Sequence, residues 1–405
     1  MSPAGGRATQ RLRAFGLFAG IGGFEVGFSQ AGIAVAGFCE SDQAARAVLN
    51  ARFPGVVCEL DISTMESLPE CEILTAGFPC QDLSPAGTLA GINGTKSGLV
   101  EHVFRLLDGS DRFPDWVLFE NVPFMLNLRG GAAIAWLIGQ IESRGMRWAY
   151  RVVDSRAFGL AQRRRRLYVL ASRSKDPRQA LLAESVDPRV IQFDGTQPCG
   201  FYWTEGNTGL GWAVDAVPPL KGSSGVGIVS PPGIWLPRTS KFVTPTINAS
   251  EQLQGFPIDW TLPAEQTIRG ERQRWKLVGN AVSTPVAAWL ARSMLTPSAT
   301  IISSGSEVSN GGRWPIAAWG ELGKRYAVDV SEWPLAANCM GLSATIANCS
   351  VPLSSRAATG FYTRLMKSSL RVPHAFKRDL GRYVAQSTKD RSPKNAAIRK
   401  YSGKR

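Results

Sequence analysis

The chain has 405 residues, 44% of them hydrophobic, which is enough for a packed core and for more than one domain. No run approaches the ~20 consecutive apolar residues of a membrane helix, and the N-terminal MSPAGGRATQRLRAF lacks the apolar centre of a secretory signal, so a soluble cytoplasmic protein is expected. Seven cysteines without a C-x-x-C argue against a disulfide scaffold or zinc ribbon, two histidines (His102 and His374) are poor material for a Ser-His-Asp enzyme, and a net charge of +14 points to a polyanionic partner.

From residue 13 onward, short β-rich runs alternate with helix-like stretches. Strands are predicted at 13–18, 33–40, 56–62, 71–78, 116–122, 148–154 and 166–172, with helices at 23–31, 42–51, 97–107 and 130–144. The alternation, with several strands apolar throughout, predicts an α/β fold with a doubly wound, mostly parallel sheet. After Ser172 the texture changes. Residues 173–240 are rich in Gly, Pro and Trp and predict a small, irregular, β-rich domain. Helical patterning returns at SEQLQGF and at GNAVSTPVAAWLARSM (279–294). Residues 298–405 hold 17 Lys+Arg against 6 Asp+Glu, most of the chain's excess charge. Within them, Phe361, Leu365, Phe376, Leu380 and Val384 predict two short amphipathic helices broken near Pro373. The last fifteen or so residues read as disordered.

The chemistry-bearing residues fall at strand ends. FGLFAGIGGFEVGF (15–28) leads a strand through a glycine-rich turn into a helix, which brings backbone N–H groups close to a ligand. It departs from the dinucleotide fingerprint: Gly20 and Gly22 fit, but Glu25 takes the third glycine position, which opposes a pyrophosphate and tolerates a cation. Glu40 ends the second strand, where a carboxylate accepts from ribose hydroxyls. Asp61 ends the third, suited to an adenine amino group. One glycine-rich and two acidic strand ends in succession favour an adenosine-type cofactor over isolated surface acids or caps.

Cys80, in GFPCQDLSPAG, follows the fourth strand at the sheet's carboxyl edge and is a candidate nucleophile; Cys39, Cys58 and Cys71 read as packing residues. Glu120 ends an apolar strand in FENV, where partial burial raises a carboxyl's pKa and lets it donate a proton; its place at the end of the strand after the Cys80 unit argues against a merely salt-bridged acid. In AQRRRRLYVLAS (161–172), Arg164 and Arg166 share one side of an extended segment and offer planar donor forks to a phosphate or base edge. Asn280, after a glycine, reads as a helix N-cap. Trp203, Trp212, Trp235, Arg238 and Lys241 are aromatic and basic contact candidates, the tryptophans reading first as core of the small domain.

In order, LFAGIGGFE, GFPCQDLS, ENV, QRRRR (as Gln-x-Arg-x-Arg), LQGFP and GNAV resemble the motif series of the DNA (cytosine-5) methyltransferase family over about residues 11–297. The resemblance implies a methyltransferase-type sheet with a reversed last strand. It implies S-adenosyl-L-methionine as methyl donor, no metal, and a flipped cytosine of double-stranded DNA as acceptor. It implies a catalytic and cofactor-binding domain at 11–172, a target recognition domain at 173–270 and a returning helix at 271–297; it leaves 298–405 as a basic C-terminal extension without an assigned role. By position, Phe18, Gly20, Gly22 and Gly23 line the cofactor site, Glu40 takes the ribose, and Asp61 and Ile62 contact the adenine. Pro79, Leu99, Asn280 and Ala281 complete that pocket. Cys80 is the nucleophile, and Glu120, Arg164 and Arg166 hold the cytosine.

Two positions depart from the family pattern: Lys96 stands where Arg is common, and Asn248-Ala249 where Arg-Glu is common. The resemblance also implies a monomer and allows a cognate restriction endonuclease as partner. Two rival readings are a tRNA cytosine-5 methyltransferase of the same fold and a catalytically silent DNA-binding regulator. The insert at 173–243 counts against the first, and the intact Cys80, Glu120 and Gln162-x-Arg164-x-Arg166 against the second.

Overall fold

The computed structural model describes residues 11–78, 98–205, 209–222, 229–267, 270–300, 305–308 and 312–389. The first part alternates as predicted: β1 (Arg13–Leu17), α1 (Gly23–Gln30), β2 (Ala34–Cys39), α2 (Gln43–Arg52), β3 (Cys58–Glu59), β4 (Ile73–Ala76), α3 (Leu99–Asp108), β5 (Trp116–Asn121), α4 (Ala132–Glu142), β6 (Arg147–Asp154) and β7 (Arg165–Ser172). The chain continues through α5 (Pro177–Leu181), β8 (Cys199–Phe201), β9 (Ala213–Val214), β10 (Gly233–Leu236), β11 (Lys241–Pro245), α6 (Ile247–Leu253), α7 (Glu271–Asn280) and α8 (Thr284–Leu295). It ends in β12 (Ser306–Glu307), β13 (Ala317–Glu321), β14 (Lys324–Ala327), α9 (Leu342–Thr345), β15 (Ser350–Pro352), α10 (Ser355–Lys367) and α11 (His374–Lys389).

Ten strands make one sheet in the order β12-β14-β13-β6-β7-β5-β4-β1-β2-β3. β1 to β5 pair in parallel, whereas β7 runs antiparallel to both of its neighbours, β5 and β6. Among the seven strands up to Ser172, β7 is therefore the reversed one. The central strands are apolar because both faces are covered. Val103, Phe104, Ile134 and Leu137 of α3 and α4 pack on one face, and Phe24, Phe28, Val286 and Leu290 of α1 and α8 on the other.

The whole sheet is mixed rather than mostly parallel. Residues 306–327, which gave no strand pattern in the sequence, add β13, β14 and β12 antiparallel to the β6 side. Pairing of β13 with Trp148–Arg151 covers what would otherwise be an open edge. The predicted helix at 279–294 is also corrected: Asn280 is the last residue of α7 instead of an N-cap, the chain is extended at Ala281, and α8 starts after Ser283 with Pro285 in its first turn.

β15-β11-β10-β8-β9 form a second, antiparallel sheet. Its core joins Cys199, Phe201, Trp235 and Phe242 to Phe361, Leu365, Phe376 and Leu380 of α10 and α11. The two helices predicted on either side of Pro373 thus close a sheet begun 150 residues earlier in the chain.

Candidate active site

At the ends of β1, β2 and β3 lies a cavity of ≈460 Å³. Phe18 (φ 56°) and Gly20 (φ 58°) carry the chain through a left-handed turn there, opening the space ahead of α1. Glu40 is held by two backbone amides: Oε2 accepts from the Gly20 N–H and Oε1 from the Asp42 N–H, each at 2.7 Å. Burial pushes its pKa up, and those two N–H groups oppose the rise. Asp61 lies at the surface of the cavity and is held below the usual carboxylate range, first by the Ser63 N–H at 2.8 Å.

Phe18, Gly20, Glu40, Asp61, Ile62, Leu99, Asn280 and Ala281, all expected at a cofactor, line this one cavity. Gly22 and Gly23 stand behind its wall. A Cβ on Gly22 would lie 2.8 Å from the Phe53 ring, and one on Gly23 2.5 Å from the Val282 carbonyl oxygen, so both make room for packing. Pro79, Cys80 and Lys96 lie outside the described residues, as do 390–405.

The lining fits a cationic adenosine-bearing ligand. Glu40 and Asp61 offer fixed acceptors, while Phe18, Ile62 and Leu99 offer apolar walls. Lys276, the one cation among the described lining residues, is tied to Asp42 at 2.9 Å, which leaves little to attract a pyrophosphate.

The cavity also reaches Gly77 and Glu120. Antiparallel pairing sets Glu120 opposite Tyr168, so Arg166, two residues along β7, projects from the same face. Its Nε lies 3.1 Å from Glu120 Oε1, with both side chains largely buried. Burial raises the Glu120 pKa, and Arg166 and then Arg164 pull it back.

Arg164 has a different setting. It is 1% exposed and donates to the carbonyls of Leu220 (3.2 Å), Gly279 (3.1 Å) and Ala281 (2.8 Å). Burial brings its guanidinium down to about 9. The structure therefore brings Arg166 to Glu120 and makes Arg164 a strut between the cofactor wall and the segment at Leu220.

Three further groups complete the site. Asn121 donates to the Phe78 carbonyl at 3.1 Å, fixing the chain just before Pro79 and Cys80. Gln162 donates to the Leu253 carbonyl and accepts from the Leu220 N–H, each at 2.8 Å. Asp42 caps α2 and accepts from Gln273 (2.8 Å) and Lys276 (2.9 Å) of α7, closing one cavity wall. Sequence reasoning missed the Asp42 clasp because Lys276 is 234 residues away, and locally Asp42 signals only a helix cap. Burial pushes the Cys39, Cys71 and Cys199 thiols up to about 12 each, which makes them poor nucleophiles.

An α/β sheet with one reversed strand among its first seven, an acid-lined cavity at its strand ends and a carboxyl–guanidinium pair beside it define a methyltransferase framework. Residues 12–197 match the family described as C-5 cytosine-specific DNA methylase. The Type II methyltransferase M2.BsuMI of Bacillus subtilis (strain 168) is 43% identical over 362 residues, covering 87% of this chain and 93% of that protein. That span exceeds residues 1–297, so part of 298–405 is shared as well. The Type II methyltransferase M.MspI of Moraxella sp is 29% identical over 297 residues, 68% of each chain. In fold, the crystal structure of S. pombe Dnmt2 methyltransferase superposes with a TM-score of 0.50 at 18% identity, covering 70% of this chain and 98% of that one.

The chain belongs to the C-5 cytosine-specific DNA methylase family. It is a DNA (cytosine-5) methyltransferase, and family and fold together imply S-adenosyl-L-methionine as donor. Among the described residues no helix is long and apolar enough to cross a membrane.

Proposed function

We propose that the protein is a site-specific, monomeric modification enzyme whose residues 173–270, which supply four of the second sheet's five strands, read duplex DNA. In this reading residues 11–172 and 271–297 form the catalytic body. S-adenosyl-L-methionine lies in the cavity with Glu40 toward its ribose, Asp61 and Ile62 toward its adenine, and Phe18, Gly20, Leu99, Asn280 and Ala281 around it. When bound, it supplies an electrophilic methyl group.

The single observation that carries the reading is that one cavity is lined both by the acids suited to adenosine and by Glu120, the partner of Arg166. The target cytosine must leave the duplex to reach that place, at a cost of a few kcal/mol. Cys80 then adds its thiolate to ring carbon 6, and the ring's electron pair shifts toward carbon 5. Glu120, with its pKa raised by burial, gives a proton toward N3 and offsets the charge developing there. Arg166 holds Glu120 in place. Once carbon 5 has taken the methyl group, loss of its proton to a base, return of the N3 proton to Glu120 and departure of the Cys80 sulfur as thiolate restore the aromatic ring. The names of its Type II relatives suggest a cognate endonuclease as partner.

The test is trapping on duplex oligonucleotides carrying 5-fluorocytosine in place of cytosine, with donor present. A carbon-5 fluorine cannot leave as a proton, so a covalent adduct through Cys80 is expected, with none in Cys80→Ser. Methyl transfer to duplex DNA and not to bulk tRNA is expected alongside. A Cys80→Ser enzyme that still methylates DNA would overturn the reading.

A further inference from the structure

The second sheet is built from two distant segments, and this puts the chain's excess positive charge in a specific place. Residues 354–386 contain seven Lys or Arg and a single acid, Asp379. That acid is turned inward: it is 1% exposed, accepts from Trp235 Nε1 at 3.2 Å, from Ser240 Oγ at 3.0 Å and from Arg378 Nε at 3.2 Å, and so ties α11 to the turn between β10 and β11 while pairing with the exposed Arg378. The apolar side of the helix pair, with Ala358, Phe361, Leu365, Phe376 and Leu380, is buried on the sheet. The opposite side carries exposed Arg356, Lys367, Arg371, Arg378 and Arg382. On the turn joined to α11 by the Ser240–Asp379 bond, Arg238 and Lys241 are exposed too. Asp194 is the acid whose carboxylate feels Arg238, and it is itself held by Thr196.

A run of exposed cations is often only a solvated face. Here two sequence-distant sets are brought together by a buried carboxylate that bonds Ser240 of one set and pairs with Arg378 of the other. We propose that Arg238 and Lys241 of the turn and Arg378 and Arg382 of α11 form one continuous face that grips the phosphate backbone of duplex DNA outside the target base. Such a face gives affinity and register without reading sequence. The C-terminal helices then act as a clamp joined to the recognition sheet.

Two neutralising pairs test this in the full-length enzyme: Arg238→Gln with Lys241→Gln, and Arg378→Gln with Arg382→Gln. Arg238, Lys241 and Arg382 are exposed, so an unchanged thermal midpoint is expected of the first pair; Arg378 also holds the buried Asp379, so Arg382→Gln alone replaces the second pair should that pair lose stability. Binding of a fluorescein-labelled duplex of mixed sequence is followed by anisotropy from about 50 to 200 mM salt. Each lost phosphate contact should reduce the slope of log K against log salt by about 0.9, so each pair should reduce it by up to about 1.8. KM for DNA should rise, with kcat unchanged at saturating DNA and the pattern of methylated sites on a plasmid unaltered. Wild-type slopes in both pairs would overturn the proposal. So would an altered methylation pattern with an unaltered slope, which would make the face a reader of bases.

Discussion

Glu25 replaces a glycine in the turn-and-helix motif, and its environment makes it a proton-binding site. It is 2% exposed, its Oε2 has no hydrogen-bond partner, and it occupies the space where a side chain on Gly16 would be. Burial raises its pKa from 4.5 to about 7. The folded state thus holds this proton more tightly than the unfolded chain does. The resulting stabilisation is full below pH 4.5 and is lost as pH rises through 7, about 3 kcal/mol in all. Denaturant unfolding of Glu25→Gln from pH 5 to 8 should show a flatter dependence than wild type; an unchanged one would place the proton elsewhere. Glu120 is governed by the same burial, but it has a cation 3.1 Å away. Glu120→Gln should lower kcat by about 10²–10⁴-fold with duplex affinity largely kept. Arg166→Ala removes the charge that pulls the Glu120 pKa down. If protonated Glu120 is the active form, the alkaline limb of the pH–rate profile should then move to higher pH, and a stationary limb would assign that limb to another group.

Among the elements, what could be read in the sequence depended on burial. β1, β4, β5 and β7 are buried over most of their length, so their apolar runs announced them, and Glu40 and Asp61 after β2 and β3, with Glu120 on β5 and the arginines at β7, announced the site. β14 (KRYA) is exposed or half-buried throughout and carried no such signal. The break between α7 and α8 was hidden as well, because Asn280 after a glycine reads as the start of a helix and not as the end of one; only tertiary bonds show why the chain opens after it. Arg164 takes the Gly279 and Ala281 carbonyls at that break, and α7 meets the segment at Lys221–Gly222 backbone to backbone. A Cβ on Gly279 would strike the Gly222 nitrogen and come within 2.5 Å of the Lys221 carbonyl carbon, whereas one on Gly222 would meet its nearest atoms at 3.2 Å. Gly279→Ala should therefore cost about 1–3 kcal/mol and weaken S-adenosyl-L-methionine binding through Asn280 and Ala281. Gly222→Ala should cost clearly less. Calorimetric unfolding and titration with the donor would separate them, and equal losses would show that the close approach is not what positions that wall.

At the scale of the whole molecule, the region that the motif series leaves out is built into both sheets. β13 occupies the edge of β6, and α10 and α11 supply half of the second sheet's core. Helix spacing around Pro373 was legible in the sequence, but its destination was not: pairing of β15 with β11 and the packing of Phe361 on Phe201, 5.1 Å between ring centres, join residues over a hundred positions apart. A chain stopped at Leu353 would bare Cys199, Phe201, Trp235 and Phe242 to water and leave the Trp235 N–H and Ser240 hydroxyl without Asp379. Loss of a buried Phe alone costs about 3–5 kcal/mol, a large share of a domain's net stability. Truncation after Leu353 should thus give aggregation-prone protein that does not methylate DNA, and Phe361→Ala should lower the unfolding midpoint in the full chain. Asp379→Ala, which strands the donors of Trp235, Ser240 and Arg378 without opening a large cavity, should cost about 1–3 kcal/mol. The decisive comparison is specific activity per folded molecule: if the helices were a mere appendage, the shortened enzyme would be soluble and would methylate a plasmid as fast as the full chain.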